Sequence, residues 1–166
     1  MIRRAVRTYL ELTDRSQLAP APPPSGDVTV ERCHDCAPAQ YRQLYAEVGR
    51  EYHWVDRLAW SDDEIARHLA DPRLELWLLR EGDDVAGYFE LRSHDDGTVE
   101  IAYFGLLPHA VGRGLGKFML TRAAERAWDL GATRVWLHTS SLDHSSALPN
   151  YLARGFAIWK QETYVV

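Results

Sequence analysis

Cysteine is nearly absent from this chain. Two residues in 166, Cys33 and Cys36, are too few for a disulfide-built scaffold and leave one CxxC to explain. Cys33-His34-Asp35-Cys36 has the spacing of a redox motif or of half a zinc site. No second cysteine pair completes a tetrahedral site and no thioredoxin-like pattern surrounds it, so we read two reduced thiols. Long apolar runs are missing as well: none approaches the roughly 20 residues of a membrane-spanning helix. The basic Met1-Ile2-Arg3-Arg4 is not followed by the apolar stretch of a signal peptide, so the expectation is a soluble, cytoplasmic protein with no membrane partner. Positive charge is not in excess either. The 19 basic residues face 24 acidic ones, and a net charge of −5 offers no general attraction to nucleic acid while mildly favouring cationic ligands.

What is present is 46% hydrophobic residues, enough for one full core, so residues 1–166 are expected to form a single domain. Residues 1–27 would add an extra strand, Val6 to Leu12, and a stiff proline-rich linker, Ala19 to Gly26. Val28 to Arg32 reads as a second strand. Gln40 to Val48 has helical spacing through Tyr41, Leu44, Tyr45 and Val48, and Ser61-Asp62-Asp63-Glu64 reads as a capping box opening a helix to about Ala70. Leu74–Arg80, Val85–Ser93 and Thr98–Leu107 alternate as strands, separated by turn sequences that suit an antiparallel meander. A helix carrying Leu115, Met119, Ala123 and Ala127 stops at Gly131, and Arg134–Thr139 follows as a strand, which implies one parallel pairing. A last helix starts near Ser145 or Ser146, because Pro149 is tolerated only in a first turn, and Phe156–Val165 is the last strand.

The most informative stretch is Val111-Gly112-Arg113-Gly114-Leu115-Gly116-Lys117, three alternating glycines between a strand and a patterned helix. Glycines let the backbone bring bare N–H groups to a ligand, and the helix start adds its positive dipole end, so the segment suits a pyrophosphate, with charge available from Arg113 and Lys117. The plain alternative is a strand-to-helix turn. A dinucleotide fingerprint would need glycine at 117, where Lys117 stands, and a P-loop would need Ser or Thr where Phe118 stands.

The segment resembles the pyrophosphate loop of the GNAT superfamily of acyl-CoA-dependent N-acetyltransferases, Gln/Arg-x-x-Gly-x-Gly/Ala, with Val111 in place of the Gln/Arg. Ala147-Leu148-Pro149-Asn150-Tyr151 with Arg154-Gly155-Phe156 is similar to that family's Ala-x-x-x-Tyr…Gly-Phe segment, and the likeness covers about residues 74 to 160. The resemblance implies an α/β (α+β) fold: a mixed, mostly antiparallel sheet flanked by helices. Acetyl-CoA would enter as co-substrate where Thr98–Leu107 and Arg134–Thr139 splay apart. Many members carry another C-terminal strand, and the Val6–Leu12 strand is expected to take that edge position. The implied activity is acetyl transfer to a primary amine of a small molecule by direct attack, with no metal; a homodimer is compatible with it. A protein N-terminal or lysine acetyltransferase and a noncatalytic acyl-CoA-binding sensor remain alternatives.

The same resemblance suggests roles. Glu100, the only charged residue between Val99 and Leu107, stands where some relatives carry a general base; its plain reading is a structural glutamate. Tyr151, with a phenol pKa of about 10, would protonate the departing thiolate, or else pack in the core. Leu106 would offer its backbone N–H to the developing oxyanion, and Phe104 and Leu106 would border the pantetheine arm. Val111, Gly112, Arg113, Gly114, Leu115, Gly116 and Lys117 would hold the pyrophosphate. His144, where relatives have Asn, would cap a helix or touch the co-substrate; no triad or metal reading of His138, Asp143 and His144 is adopted. Tyr52, Trp54, Asp56 and Arg57 fall in the segment that borders the acceptor in this family. Aromatic faces with an acid suit a cation and Arg57 suits a carboxylate, while the structural alternative is an aromatic anchor between two helices.

Overall fold

Seven strands pair into one sheet in the computed structural model, which describes residues 2–166. They are β1 Arg4–Leu12, β2 Val28–Arg32, β3 Leu74–Glu81, β4 Asp84–Ser93, β5 Thr98–Leu106, β6 Arg134–Ser140 and β7 Ala157–Val165. The helices are α1 Pro38–Gly49, α2 Asp62–Ala70, α3 Leu115–Asp129 and α4 Ala147–Ala153. The order across the sheet is β2-β3-β4-β5-β6-β1-β7, antiparallel at every pairing except β5–β6. The N-terminal strand therefore joins the sheet, but inside it and not at the edge expected from the sequence. β1 lies between β6 and β7, and β7 takes the edge. Thr8, Leu10 and Leu12 are buried, so alternate side chains of β1 feed the core, which an interior strand can do.

Both faces of the central strands are covered, which explains their near-continuous apolar runs. On β3, Trp77 and Leu79 face the core that α3 covers, with Arg126 of α3 over the Trp77 ring, while Leu76 and Leu78 face the core that α1 and α2 cover. The first core gathers Met119, Leu120, Ala123 and Ala127 of α3 with Phe89, Val99, Ile101, Val135 and Leu137. Burial of Tyr41, Leu44, Tyr45 and Val48 sets the inner face of α1 at helical spacing. α2 has the expected cap: Ser61 Oγ accepts from the Glu64 N–H, and the Glu64 carboxylate accepts from the Ser61 N–H. The proline-rich linker is not free. Ala19 N–H donates to the Arg154 carbonyl at 2.8 Å and Ala21 N–H to Thr121 Oγ1 at 2.9 Å, so it straps α3 to the end of α4.

Two irregularities open the sheet. Opposite Glu90 and Leu91, β5 carries one extra residue, Ala102, a bulge that bends the strand. The parallel pairing of β5 with β6 runs only from Thr98–Arg134 to Glu100–Trp136, after which the two strands part. No helix is long and apolar enough to cross a membrane among the described residues.

Candidate functional site

A cavity of about 540 Å³ lies where the strands part. One wall is the end of β5, with Phe104, Gly105 and Leu106. Another is the loop before α3 and its first turn, and the third is α4 with the loop that precedes it; Tyr52 and Trp54 close one end.

The glycine loop has the conformation its sequence suggests. Gly112 and Gly114 adopt φ of 81° and 75°, the left-handed region where a Cβ is strained, and Gly114 is the residue immediately before α3. α3 has no side-chain cap, so the N–H groups of its first turn are left for a ligand, and the positive end of the helix dipole faces the cavity rim. Gly112, Gly114, Gly116, Lys117 and Val111 all line the cavity. Arg113 and Leu115 do not. The Arg113 guanidinium forms a two-pronged ion pair with Glu81, one contact being 2.6 Å, and Leu115 is buried in the core beneath the loop. Arg113 is drawn away by its ion pair and Leu115 by the core, which leaves the glycines, Val111 and Lys117 on the cavity side.

Tyr151 stands on the α4 wall with 6% of its surface exposed, its ring edge-on to Phe104 and Phe156 at 6.1 and 6.2 Å. Burial holds its phenol above the ordinary tyrosine value, reinforced by the charge of Asp143, so the group is a proton donor across the neutral range. Leu107 N–H donates to the Ala86 carbonyl on β4. In an antiparallel ladder the N–H groups alternate in direction, so those of Leu106 and Phe104 turn away from β4, toward the opening. His144 Nδ1 accepts from the Ser146 N–H at 3.0 Å, turning the chain into α4, and the residue also lines the cavity.

The aromatic segment divides. Tyr52 and Trp54 reach the cavity; Asp56 and Arg57 do not line it. Arg57 Nη1 is bound at 2.8 Å to both carboxylate oxygens of Glu90, a residue with no exposed surface, which also takes bonds from Tyr41 Oη and from His68 Nε2 at 3.1 Å. The guanidinium lies over Trp60 and Tyr103 at 4.7 and 4.3 Å. Arg57 is thus committed to a buried carboxylate 33 residues away, and is not free for a ligand's. Trp54 enters because two glycines make room: a Cβ on Gly49 would collide with its side chain, and one on Gly105 would stand 3.3 Å from its ring. Its Nε1–H reaches Asp143 Oδ1 at 3.4 Å, while Asp143 Oδ2 accepts from Thr139 Oγ1 and the Ser140 N–H at 2.6 and 2.8 Å.

Glu100 occupies the last position of β5 that pairs with β6 but lies outside the cavity wall; its carboxylate bonds to His94 Nε2 at 2.9 Å. Asp143, Asn150 and Arg154 line the cavity without having been expected as site residues. Asn150 and Arg154 are spaced i, i+4 around Tyr151, a helical-face signal that the sequence contained. Cys33 and Cys36 are free thiols beside a separate cavity of about 250 Å³; burial first, and then neighbouring Cys33, push the Cys36 thiol up to about 12.

Among known proteins, residues 38–156 match the Acetyltransferase (GNAT) family. An uncharacterized N-acetyltransferase of Mycobacterium tuberculosis is 32% identical over 104 residues, which cover 63% of this chain and 66% of that protein. A mycothiol acetyltransferase of Actinosynnema mirum is 29% identical over 132 residues, 70% of this chain and 44% of that protein. The chain thus spans less than two thirds of the length of these relatives. Among solved structures, a GCN5-related N-acetyltransferase from Kribbella flavida superposes with a TM-score of 0.69 at 21% identity, over 99% of this chain and 58% of that one. A Bacillus subtilis acetyltransferase in complex with CoA superposes with a TM-score of 0.59 at 24% identity, over 80% and 78%. At such identities the structural likeness establishes the fold.

Proposed function

The chain belongs to the GNAT acetyltransferase family, and from that premise we propose that it moves the acetyl group of acetyl-CoA to a primary amine of a small molecule by direct attack in a ternary complex. The observation that carries this reading is the convergence on one cavity of an uncapped helix start with two left-handed glycines, an outward-turned Leu106 N–H and a protonated Tyr151. These residues fit the co-substrate. The loop N–H groups and Lys117 would hold its pyrophosphate, and the open edge of β5 would take its pantetheine arm by strand-like bonds.

The chain's own groups then have separate tasks. Holding thioester and amine side by side removes the entropy of their encounter. The Leu106 N–H stabilises negative charge developing on the carbonyl oxygen. Tyr151 Oη would give its proton to the departing sulfur; with its phenol held above the ordinary tyrosine value and a thiol pKa of about 8.5, the transfer is uphill by itself, so it has to accompany C–S cleavage, and the phenoxide regains its proton from solvent. An alkyl amine of pKa about 10.4 is neutral at pH 7 only about once in several thousand molecules, so a proton acceptor helps. Glu100 is our candidate, acting through water at the mouth of the split between β5 and β6, with His94 as its hydrogen-bonded outlet toward solvent. Tyr52, Trp54 and Asp143 offer the acceptor two aromatic faces and a carboxylate, a composition that favours a compact cationic amine over a peptide.

The test is acetyl-CoA-dependent release of free thiol across a panel of amines, amino acids and peptides, beside calorimetric titration of acetyl-CoA. Turnover with small amines supports the reading. Turnover with peptides alone would move the acceptor to protein, and binding with no turnover for any acceptor would make the chain a sensor.

A further inference from the structure

Among the described residues, Lys117 and Arg154 are the lysine and arginine of the cavity that no carboxylate answers, and of the two only Arg154 has buried side-chain N–H groups without a partner. Its Nε and Nη1 are both buried, and neither has a hydrogen-bond partner among those residues. The side chain is half-buried, yet two of its donors are shut off from water with nothing to bond, an arrangement that costs free energy and that the fold alone does not explain. The other cations have assignments. Arg113 is held by Glu81, Arg57 by Glu90 and Arg126 by Glu75, while Lys117 stands within the glycine loop.

The location narrows the ligand. Arg154 directly follows α4, one turn beyond Asn150, and long side chains on a helix lean toward its N-terminus. Arg154 lines the same cavity as Asn150 of α4 and Gly116 and Lys117 of the first turn of α3, at the groove between the two helices. There the two helices approach so closely that a Cβ placed on Gly116 would stand 3.7 Å from Asn150 Nδ2, and Lys117 lies next to it on the cavity wall. The strap bonded through Ala19 to the Arg154 carbonyl fixes the backbone from which the side chain springs. With the pyrophosphate assigned to the N–H groups of the glycine loop, an arginine one groove away is placed for a second anion.

Resting on the reading of acetyl-CoA as co-substrate, we propose that Arg154, in the groove between α3 and α4, is the anchor for the ribose 3′-phosphate of coenzyme A. The guanidinium fork matches a terminal phosphate, and the contact makes the site selective for coenzyme A over its 3′-dephospho form.

Calorimetric titration of CoA and of 3′-dephospho-CoA into the wild type and Arg154→Met tests this, with thermal unfolding of both proteins free of ligand. The wild type should bind CoA about 10- to 100-fold more tightly than 3′-dephospho-CoA, the range of one or two charge-assisted bonds. Arg154→Met should lose that preference, with 3′-dephospho-CoA bound as in the wild type. Its unfolding temperature should be equal or higher, since an apolar side chain of similar length replaces two buried donors that have no partner. Arg154→Lys should recover part of the preference. Equal weakening toward both ligands, or a clear fall in unfolding temperature, overturns the proposal and leaves the acetyl-CoA reading standing. Failure of the wild type to bind either ligand overturns both.

Discussion

Glu90→Ala should destabilise this protein more than any change at its cavity. Glu90 has no exposed surface and receives Arg57, Tyr41 and His68. Burial alone would push its carboxyl up; the bond from His68 and the charge of Arg57 reverse that and hold it below the ordinary value of 4.5. Removing it strands a guanidinium that is largely buried, and breaking such a pair from one side costs about 3–5 kcal/mol. For a domain of this size each kcal/mol lowers the melting temperature by about 2–4 °C, so a fall of roughly 6–20 °C is expected. Urea unfolding followed by circular dichroism measures the free energy, and a thermal scan the shift. Glu90→Leu combined with Arg57→Met should recover most of the loss, because the cost lies in the unpaired partner and not in the missing attraction. A loss below about 1 kcal/mol in Glu90→Ala would refute the reasoning, since that is the range of solvated surface pairs. The pH dependence has a definite sign. A depressed carboxyl contributes stability that is present above its unfolded pKa and is lost as pH falls through the folded one. Wild-type stability should therefore decline as pH drops below about 4.5, and Glu90→Gln should flatten that decline.

Tyr151→Phe should lower kcat by about 10- to 100-fold with little change in the KM for acetyl-CoA; unchanged turnover would leave Tyr151 as a packing residue. Gly114→Ala places a Cβ at φ 75°, at a cost of about 1–2 kcal/mol, and should weaken acetyl-CoA binding about 5- to 30-fold by titration. Trp54→Ala should raise the KM for the amine while sparing acetyl-CoA affinity; a loss of fold stability with KM unchanged would make Trp54 an anchor only. With its thiol pushed up to about 12, Cys36 should resist alkylation at pH 8, where about one molecule in ten thousand is thiolate; peptide mapping after iodoacetamide treatment reads this out.

Much of the architecture was legible because it is written in local periods. Two-residue alternation marks the strands of the meander, helical spacing marks α1 and α3, and the Ser61–Glu64 box and Pro149 mark where α2 and α4 begin. The loop from Gly112 to Gly116 was legible for the same reason: left-handed φ is a property of single residues. The residues whose surroundings differ from expectation are the charged ones. Arg57 and Arg113 looked available for ligands, and each is held by a glutamate more than thirty residues away, Glu90 and Glu81. Glu100 shares a strand with Leu106 yet lies outside the cavity, because the bulge at Ala102 comes between them. Arg154 carried no signal beyond its helical spacing.

By itself the sequence determined the elements and the turns, since backbone preference and apolar period act over a few residues. Only the tertiary structure decided where β1 enters the sheet and which charges stay free. Both depend on partners distant in sequence: β1 finds its place by burying alternate side chains between β6 and β7, and a charge is available to a ligand only when no buried group of opposite sign has claimed it.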